Sequence, residues 1–135
     1  MDNDKCIAIV KQILDGRILV GHGLKNDLTV LGISHPWYDT RDTAKYEPFM
    51  KKQKKDDTST LPRPRKLKDL ALTKLDRVIQ KDGEAHCPIE DAVAALDLYK
   101  KARGKWEKAM EYKFERTMEI EFIQAIIDQG DSDQE

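Results

Sequence analysis

Residues 17–31, RILVGHGLKNDLTVL, constrain the fold more than any other stretch of this sequence. Ile18 to Val20 are apolar at consecutive positions, which predicts a short strand, buried on both faces and central in its sheet. Glycines on both sides of His22 turn the chain, and leucines at helical spacing then predict a helix over 24–31. A strand that passes directly into a helix in this way indicates the α/β class.

One acidic residue, Asp27, lies a turn into that predicted helix, close to the end of the strand. In α/β proteins, ligands bind in the crevice at the carboxyl edge of the sheet, so a carboxylate here can face a ligand. The pattern is weak by itself, because a strand, a glycine turn and a helix with one acid also occur for structural reasons alone.

The composition favours one small domain, or part of one, for a chain of 135 residues. Its 24 basic and 25 acidic residues give a formal net charge of −1, so no overall field attracts nucleic acid. Cys6 and Cys87 form no CxxC motif, which is typical of reduced thiols in an intracellular protein. The sequence shows no apolar run of membrane-spanning length and no signal-peptide core.

The rest of the chain predicts further helices and one more extended segment. Residues 4–15 predict an amphipathic helix that ends at Gly16, and residues 37–43 predict a second strand. A stripe of apolar residues predicts another helix from Leu67 to Ile79.

A helix is also predicted to begin at Pro88, because proline suits the first helical position. Glu90 and Asp91 follow in the first turn, where the helix dipole favours acidic residues. The residues that we expect on the buried face of this helix are Ile89, Ala92, Val93, Leu96 and Tyr99.

Residues 45–66 predict a loop, and they contain a cluster of basic side chains within a nearly neutral chain. Between positions 51 and 66, seven basic residues stand against only Asp56 and Asp57. The loop could simply be solvated and mobile, or it could contact a phosphate backbone by releasing counterions. The basic residues that would bind nucleic acid are Lys51, Lys52, Lys54, Lys55, Arg63, Arg65 and Lys66.

From Gly104 onward, the sequence predicts a long and highly charged helix. Large apolar residues recur there every four positions, so their line drifts around a helix of about 3.6 residues per turn. This segment could be a partly packed tail, or residues 104–128 could bind a protein partner. The final residues, GDSDQE, are acidic and are expected to be disordered. The apolar line consists of Trp106, Met110, Phe114, Met118, Phe122 and Ile126.

Three residues, distant along the chain, have the chemistry of a metal-dependent nuclease. Asp27 and Asp91 supply carboxylate oxygens, which Mg²⁺ or Mn²⁺ prefers as ligands. Two such ions about 4 Å apart can bind both the attacking and the leaving oxygen when a phosphodiester is hydrolysed. His86, with an unperturbed pKa of about 6.5, can act as the general base. Each residue alone has a structural explanation, whereas the ordered set favours catalysis by Asp27, His86 and Asp91.

Four sequence blocks resemble, in order, the later motifs of the DEDDh 3'–5' exonucleases, and especially the RNA exonuclease 4 and interferon-stimulated exonuclease branch. The blocks are GRILVGHGLKNDLTVLG, RDTAKY, LPRPRKLKDLA and HCPIEDAVAALDLY. The resemblance implies a ribonuclease-H-like fold and removal of nucleotides from the 3' end of single-stranded RNA or DNA. It implies RNA processing in the nucleus or nucleolus. Asp27 matches the acid of the second motif, and His86 and Asp91 match the third.

The first motif of that family, an Asp-x-Glu pair on the opening strand, has no match in this sequence. Ahead of the predicted strand at 17–21, Asp2-Asn3-Asp4 is the nearest string, but it precedes an amphipathic helix. We therefore expect a truncated ribonuclease-H-like α/β fold of about two strands and four or five helices, the last long and charged. Residues 1–107 would form the C-terminal part of an exonuclease domain, and residues 108–135 a charged helical extension.

Without the opening strand, the strand at 17–21 would have an open edge, and without its carboxylate pair the metal site would keep two of four carboxylates. We therefore expect this chain to be inactive alone, as an isoform, a fragment or a decayed copy. Two non-catalytic roles stay open beside the exonuclease assignment. The chain could bind nucleic acid through the basic loop, or it could bind a protein through the helix at 104–128.

Overall fold

The computed structural model describes residues 2–52 and 62–132. Over these residues the chain forms a mixed α/β fold with two strands and four α-helices, the last of them long and charged, as the sequence predicts. Two short 3₁₀ helices, Trp37–Asp39 and Glu47–Phe49, lie between the larger elements. In chain order those elements are α1 (Asn3–Leu14), β1 (Leu19–Gly21), α2 (Leu24–Leu31), β2 (Thr40–Asp42), α3 (Leu67–Leu75) and α4 (Pro88–Ser132).

The two strands pair in parallel, with Leu19 opposite Thr40 and Gly21 opposite Asp42. We expected β1 to be central with neighbours on both sides, but within the described residues it pairs with β2 alone. Ile18, which precedes the strand, is 45% exposed rather than buried. The prediction of a central, fully buried strand is therefore wrong for this chain, whereas the expected open edge is present.

The first two helices end where the sequence predicts. α1 begins after Asp2, whose carboxylate accepts a hydrogen bond from the amide of Asp4 at 3.3 Å. α2 runs between two glycines in the left-handed conformation, Gly23 at φ 72° and Gly32 at φ 66°. Because a side chain is rarely tolerated at such φ values, these glycines fix both ends of the helix.

The third helix is shorter than the apolar stripe predicts. α3 ends at Leu75, because Asp76 adopts the left-handed conformation at φ 52° and the amide of Arg77 then bonds to the carbonyl of Ala71. Ile79, although outside the helix, is fully buried. The predicted helix to residue 79 is therefore wrong in its end, although Ile79, the last residue of the apolar stripe, is part of the core.

The buried face of α4 also differs from the prediction. Of the five residues expected there, only Tyr99 is buried, whereas Ile89 is 75% exposed and Val93 is 47% exposed. The small side chains of Ala94 and Ala95 take the buried positions instead, since they allow a helix to approach its neighbours closely. The buried core residues of 2–101 are Leu24, Ile33, Phe49, Leu67, Leu70, Ala71, Ile79, Ala94, Ala95, Leu98 and Tyr99.

The chain divides into two compact units, residues 1–101 and 102–135. The predicted division between residues 107 and 108 stays a prediction. α4 continues to Ser132, so the disorder that we expected from residue 130 does not begin there, and residues 133–135 lie outside the described part. No helix in that part is both long and apolar enough to cross a membrane.

Candidate active site

The carboxyl ends of the two parallel strands form the centre of the candidate site. β1 ends at Gly21 and β2 at Asp42, so His22 and Thr43 follow the strands at the same edge of the sheet. The backbone amide of Thr43 donates to the carbonyl of Gly21 at 2.8 Å, and its hydroxyl donates to the same carbonyl at 3.1 Å. These bonds hold the two strand ends together at the edge where α/β proteins bind ligands.

Asp42 fixes the start of α2 to the end of β2. One of its carboxylate oxygens accepts from the amides of Gly23 and Ala44, each at 2.9 Å, and the other accepts from the amide of Leu24 at 3.0 Å. The carboxylate is buried, and it satisfies amides that a helix start leaves without a partner. Asp42 therefore serves as a cap that sets the direction of the helix carrying Asp27.

Gly21 has little free space at this junction. A Cβ atom added there would lie 2.4 Å from Cδ2 of Leu24, the first residue of α2. A larger residue at this position would therefore displace the Leu24 side chain, and with it the packing of the first turn of the helix.

His22 faces the end of the second strand. Its Nδ1 lies 2.8 Å from Oγ1 of Thr43. Since the Thr43 hydroxyl proton is directed at the carbonyl of Gly21, Oγ1 accepts from Nδ1–H, and Nε2 of His22 is left as an acceptor. Burial lowers the pKa of His22 from 6.5, whereas the negative charges of Asp42 and Asp91 raise it.

The negative charge of Asp91 acts on His22, whose pKa it raises against the larger lowering effect of burial. Asp91 is half-buried in the first turn of α4, and its Oδ1 accepts a hydrogen bond from Nε2 of Gln80 at 3.0 Å. Gln80 adopts the left-handed conformation at φ 53°, which a residue with a long side chain rarely does. The loop before α4 is thus held in an uncommon conformation while it orients the Asp91 carboxylate.

Asp27 and His86, the other two predicted catalytic residues, are both exposed. Asp27 lies in the first turn of α2, and His86 lies two residues before α4 begins. Within residues 2–52 and 62–132, no group of three or more His, Cys, Asp or Glu side chains is arranged to hold a metal ion. The carboxylates Asp27 and Asp91 therefore do not complete the metal site that the resemblance implies, and their roles stay predictions.

Five of the seven predicted nucleic-acid-binding residues lie within the described part of the chain, in segments 51–52 and 63–66. The amide of Lys51 donates to the carbonyl of Arg63 at 2.8 Å, in an isolated antiparallel bridge. Lys51, Lys52, Arg63 and Lys66 are exposed, and Arg65 is half-buried. Lys54 and Lys55 lie outside the described residues. The bridge brings together basic residues that are separated along the chain, and their binding of nucleic acid stays a prediction.

Three residues that belong to this site were not singled out from the sequence: His22, Asp42 and Gln80. The sequence held a signal for the first two. His22 directly follows an apolar segment and lies between two glycines, and Asp42 lies in the Arg-Asp-Thr triplet at the end of the predicted second strand. Gln80 had none, because its role depends on a left-handed backbone conformation and on a partner eleven positions away.

Curated proteins with related sequences cover most of this chain. No protein-family profile matches it. RNA exonuclease 4 from Xenopus laevis is 40% identical over 112 residues, which is 83% of this chain and 24% of that protein. RNA exonuclease 4 from Saccharomyces cerevisiae is 46% identical over 96 residues, which is 71% of this chain and 30% of that protein. The chain thus spans about a quarter of the length of the first relative and less than a third of the second.

Solved structures show the same fold. The Saccharomyces cerevisiae Pan2 pseudoubiquitin hydrolase–RNA exonuclease module, in complex with AAUUAA RNA, superposes with a TM-score of 0.62 at 30% identity and covers 90% of this chain and 19% of that one. The Neurospora crassa Pan2 catalytic unit, with protease and nuclease domains, gives a TM-score of 0.61 at 29% identity, over 84% of this chain and 18% of that one. Sequence and fold thus agree that this chain is a relative of the DEDDh exonucleases of the RNA exonuclease 4 branch and corresponds to a C-terminal part of their ribonuclease-H-like domain.

Proposed function

We propose that this chain contributes the second half of the active site of a metal-dependent 3'–5' exonuclease that acts on single-stranded RNA. The observation that carries the proposal is the identity of 40–46% with RNA exonuclease 4 proteins over most of the chain. The effect of the Asp91 charge on His22, the residue that follows β1, supports it. The RNA-bound Pan2 modules favour RNA over DNA as the substrate.

In this proposal, each predicted site residue has one role. Asp27 and Asp91 are two of the four carboxylates that ligate Mg²⁺ or Mn²⁺, and His86 is the general base. Gln80 positions Asp91 through the hydrogen bond to Oδ1. The other two carboxylates are those of an Asp-x-Glu pair, and the 135 residues contain no such pair on an apolar strand.

The chain alone is therefore proposed to be inactive or nearly so. The assay is degradation of a single-stranded RNA with a 5' label in the presence of Mg²⁺ or Mn²⁺. We expect no shortening above background for the chain or for its Asp91→Ala variant. Clear shortening that Asp91→Ala abolishes would show that the two carboxylates suffice and would overturn the proposed inactivity.

A chimera tests the catalytic roles directly. The segment of Saccharomyces cerevisiae RNA exonuclease 4 that precedes the matched region would be joined to residue 2 of this chain. We expect metal-dependent shortening from the 3' end, which appears as a ladder with a 5' label and as release of a single nucleotide with a 3' label. Asp27→Asn, His86→Ala and Asp91→Asn should each abolish it, while Lys5→Gln, an exposed change on α1, should not. A folded chimera whose activity survives all three changes would contradict the assignment.

Two non-catalytic roles are supported by separate features. The bridge between Lys51 and Arg63 supports binding of nucleic acid without turnover, and the exposed apolar residues of the last helix support binding of a protein. RNA binding that persists with a chelator would favour the first of these roles. Residence in the nucleus or nucleolus is proposed from the relatives, and a fluorescent fusion of the full chain would test it.

A further inference from the structure

His22 is a half-buried side chain at the ends of the strands, and the proposed function gives it no role. It directly follows Gly21, the last residue of β1, at the edge of the sheet where α/β proteins bind ligands. Its Nδ1 donates to Oγ1 of Thr43 at 2.8 Å, because the Thr43 hydroxyl itself donates to the carbonyl of Gly21. The proton of the neutral ring therefore lies on Nδ1, and Nε2 carries a lone pair.

The Nε2 atom of His22 is open to solvent. In residues 2–52 and 62–132, no buried or half-buried residue has a side-chain nitrogen or oxygen that lacks both solvent contact and a hydrogen-bond partner. Among these residues Nδ1 of His22 has a partner and Nε2 has none, so Nε2 must contact solvent. A ligand can therefore donate a hydrogen bond to this nitrogen without breaking a contact within the protein.

The chemistry of this nitrogen selects a neutral hydrogen-bond donor. Its lone pair does not attract the oxygens of a phosphate, which are also acceptors, and the negative charges of Asp42 and Asp91 that act on the ring disfavour an anion further. Mg²⁺ prefers oxygen ligands, so one imidazole nitrogen does not make a site for it. Every nucleotide of RNA, whatever its base, carries one neutral donor that DNA lacks, the 2'-hydroxyl.

We propose that Nε2 of His22 accepts a hydrogen bond from a ribose 2'-hydroxyl, so that His22 makes this chain prefer RNA to DNA. The contact rests on the proposed function for its ligand, a single-stranded nucleic acid, and it names the atom that recognises the sugar. His22 is a specificity-determining residue, and Thr43 is a positioning residue because it acts only through the ring. Catalysis by Asp27, His86 and Asp91 is not needed for the contact, so binding alone measures it.

The sugar preference is measured with the full chain by fluorescence anisotropy in a chelator. Labelled AAUUAA RNA is compared with the same sequence carrying a 2'-fluoro group in place of each 2'-hydroxyl, because fluorine keeps the RNA-like sugar pucker but cannot donate. We expect RNA to bind about fivefold more tightly, which corresponds to about 1 kcal/mol. Equal affinity for the two oligonucleotides, as a contact with a base amino group would give, or no binding of RNA would overturn the inference.

Two substitutions of His22 separate the roles of its two nitrogens. His22→Asn keeps an amide donor within reach of Thr43 but has no atom at the position of Nε2, so the preference for RNA should vanish. His22→Gln keeps an acceptor oxygen near that position and should retain most of the preference. His35→Asn is the matched control, because His35 bonds to the carbonyl of Arg17, ahead of β1, and should leave the preference unchanged.

Urea titration followed by circular dichroism confirms that each variant is folded. A preference that survives His22→Asn, or that His35→Asn reduces as much as His22→Asn does, would overturn the inference. A chimera that fails to degrade RNA, while the preference depends on His22 as expected, would contradict the proposed nuclease activity alone. An active chimera in which His22→Asn leaves the preference unaltered would contradict the role of His22 alone.

Nitrogen-15 NMR of the imidazole detects the contact apart from any change in affinity. In the free chain at neutral pH, we expect the proton of His22 on Nδ1, and Thr43→Val should make the two tautomers more nearly equal. RNA should shift the Nε2 resonance, whereas the 2'-fluoro oligonucleotide should not. A proton on Nε2 in the free chain, or equal shifts with the two oligonucleotides, would overturn the inference.

Discussion

His22 and Thr43, each the first residue after one of the two strands, are joined by a hydrogen bond of 2.8 Å between Nδ1 and Oγ1. The bond connects the glycine turn before α2 with the end of β2 and fixes a half-buried imidazole whose pKa responds to the charges of Asp42 and Asp91. Stability of the fold should therefore depend on the protonation of this ring.

The first prediction concerns the pH dependence of stability. Burial lowers the pKa of folded His22 below 6.5, so the unfolded state binds the proton more readily. The contribution of neutral His22 to the free energy of unfolding is fully present above the pKa of the unfolded state, about 6.5. It is lost as pH falls through that value towards the lowered pKa of the folded state. Thermal unfolding between pH 5 and pH 8 should show this loss, and His22→Gln should make that part of the profile flatter. If His22→Gln left the dependence of stability on pH unaltered, protonation of His22 would not be the cause of the loss.

The second prediction concerns the cap at the start of α2. Asp42→Ala removes three hydrogen bonds to a buried carboxylate and should lower the free energy of unfolding by about 2 kcal/mol. The control is Asp2→Ala, which removes one exposed cap bond of 3.3 Å on α1 and should cost about 0.5 kcal/mol. Urea titration followed by circular dichroism measures both. Equal decreases in the free energy of unfolding for the two variants would show that the buried, three-bond cap of Asp42 stabilises its helix no more than an exposed single bond does.

The third prediction separates two residues in the left-handed conformation. Asp76→Gly should raise the free energy of unfolding by about 0.5 kcal/mol, because glycine adopts this conformation without strain. Gln80→Ala keeps the strained conformation and loses the bond to Asp91, so it should lower stability by about 1 kcal/mol. Chemical denaturation of the two variants should give opposite signs. A stabilised Gln80→Ala would show that the bond to Asp91 contributes nothing.

The fourth prediction concerns the basic loop. Lys51→Gln with Lys52→Gln should weaken binding of single-stranded RNA and reduce the slope of log affinity against log salt by about 1.4, since each phosphate contact contributes about 0.7. Fluorescence anisotropy in a chelator measures binding apart from turnover. Lys5→Gln with Lys81→Gln removes the same charge from exposed positions outside the loop and should leave the slope unchanged. Equal effects of the two pairs would exclude a specific interface.

The parts of the fold that could be predicted from the sequence are those fixed by neighbouring residues. Gly23 and Gly32 determine both ends of α2, and Pro88 determines the start of α4, because their backbone preferences act locally. The buried face of α4 could not be predicted in this way. Ala94 and Ala95 are buried, while Val93 is exposed, because the choice depends on which residues pack against the helix rather than on its own hydrophobicity.

In the candidate site, too, some residues could be predicted from the sequence and others depend on tertiary contacts. Asp91 was predicted as one of an ordered set with Asp27 and His86, whereas in the structure its charge acts on His22 and its role stays a prediction. Gln80 could not have been found, since its contact with Asp91 arises only after the loop between α3 and α4 has folded. The roles of Asp27 and His86 depend on the carboxylate pair that this sequence lacks, so the chimera is the experiment that decides them.

Among residues 2–52 and 62–132, no strand pairs with the second edge of β1, and this edge sets how the protein should behave at high concentration. Backbone amides and carbonyls along an unpaired strand can template the addition of another extended segment. Because β1 has only three residues, such an added segment would gain few backbone bonds. Any filament that grows from this edge should therefore be short-lived and dissolve on dilution.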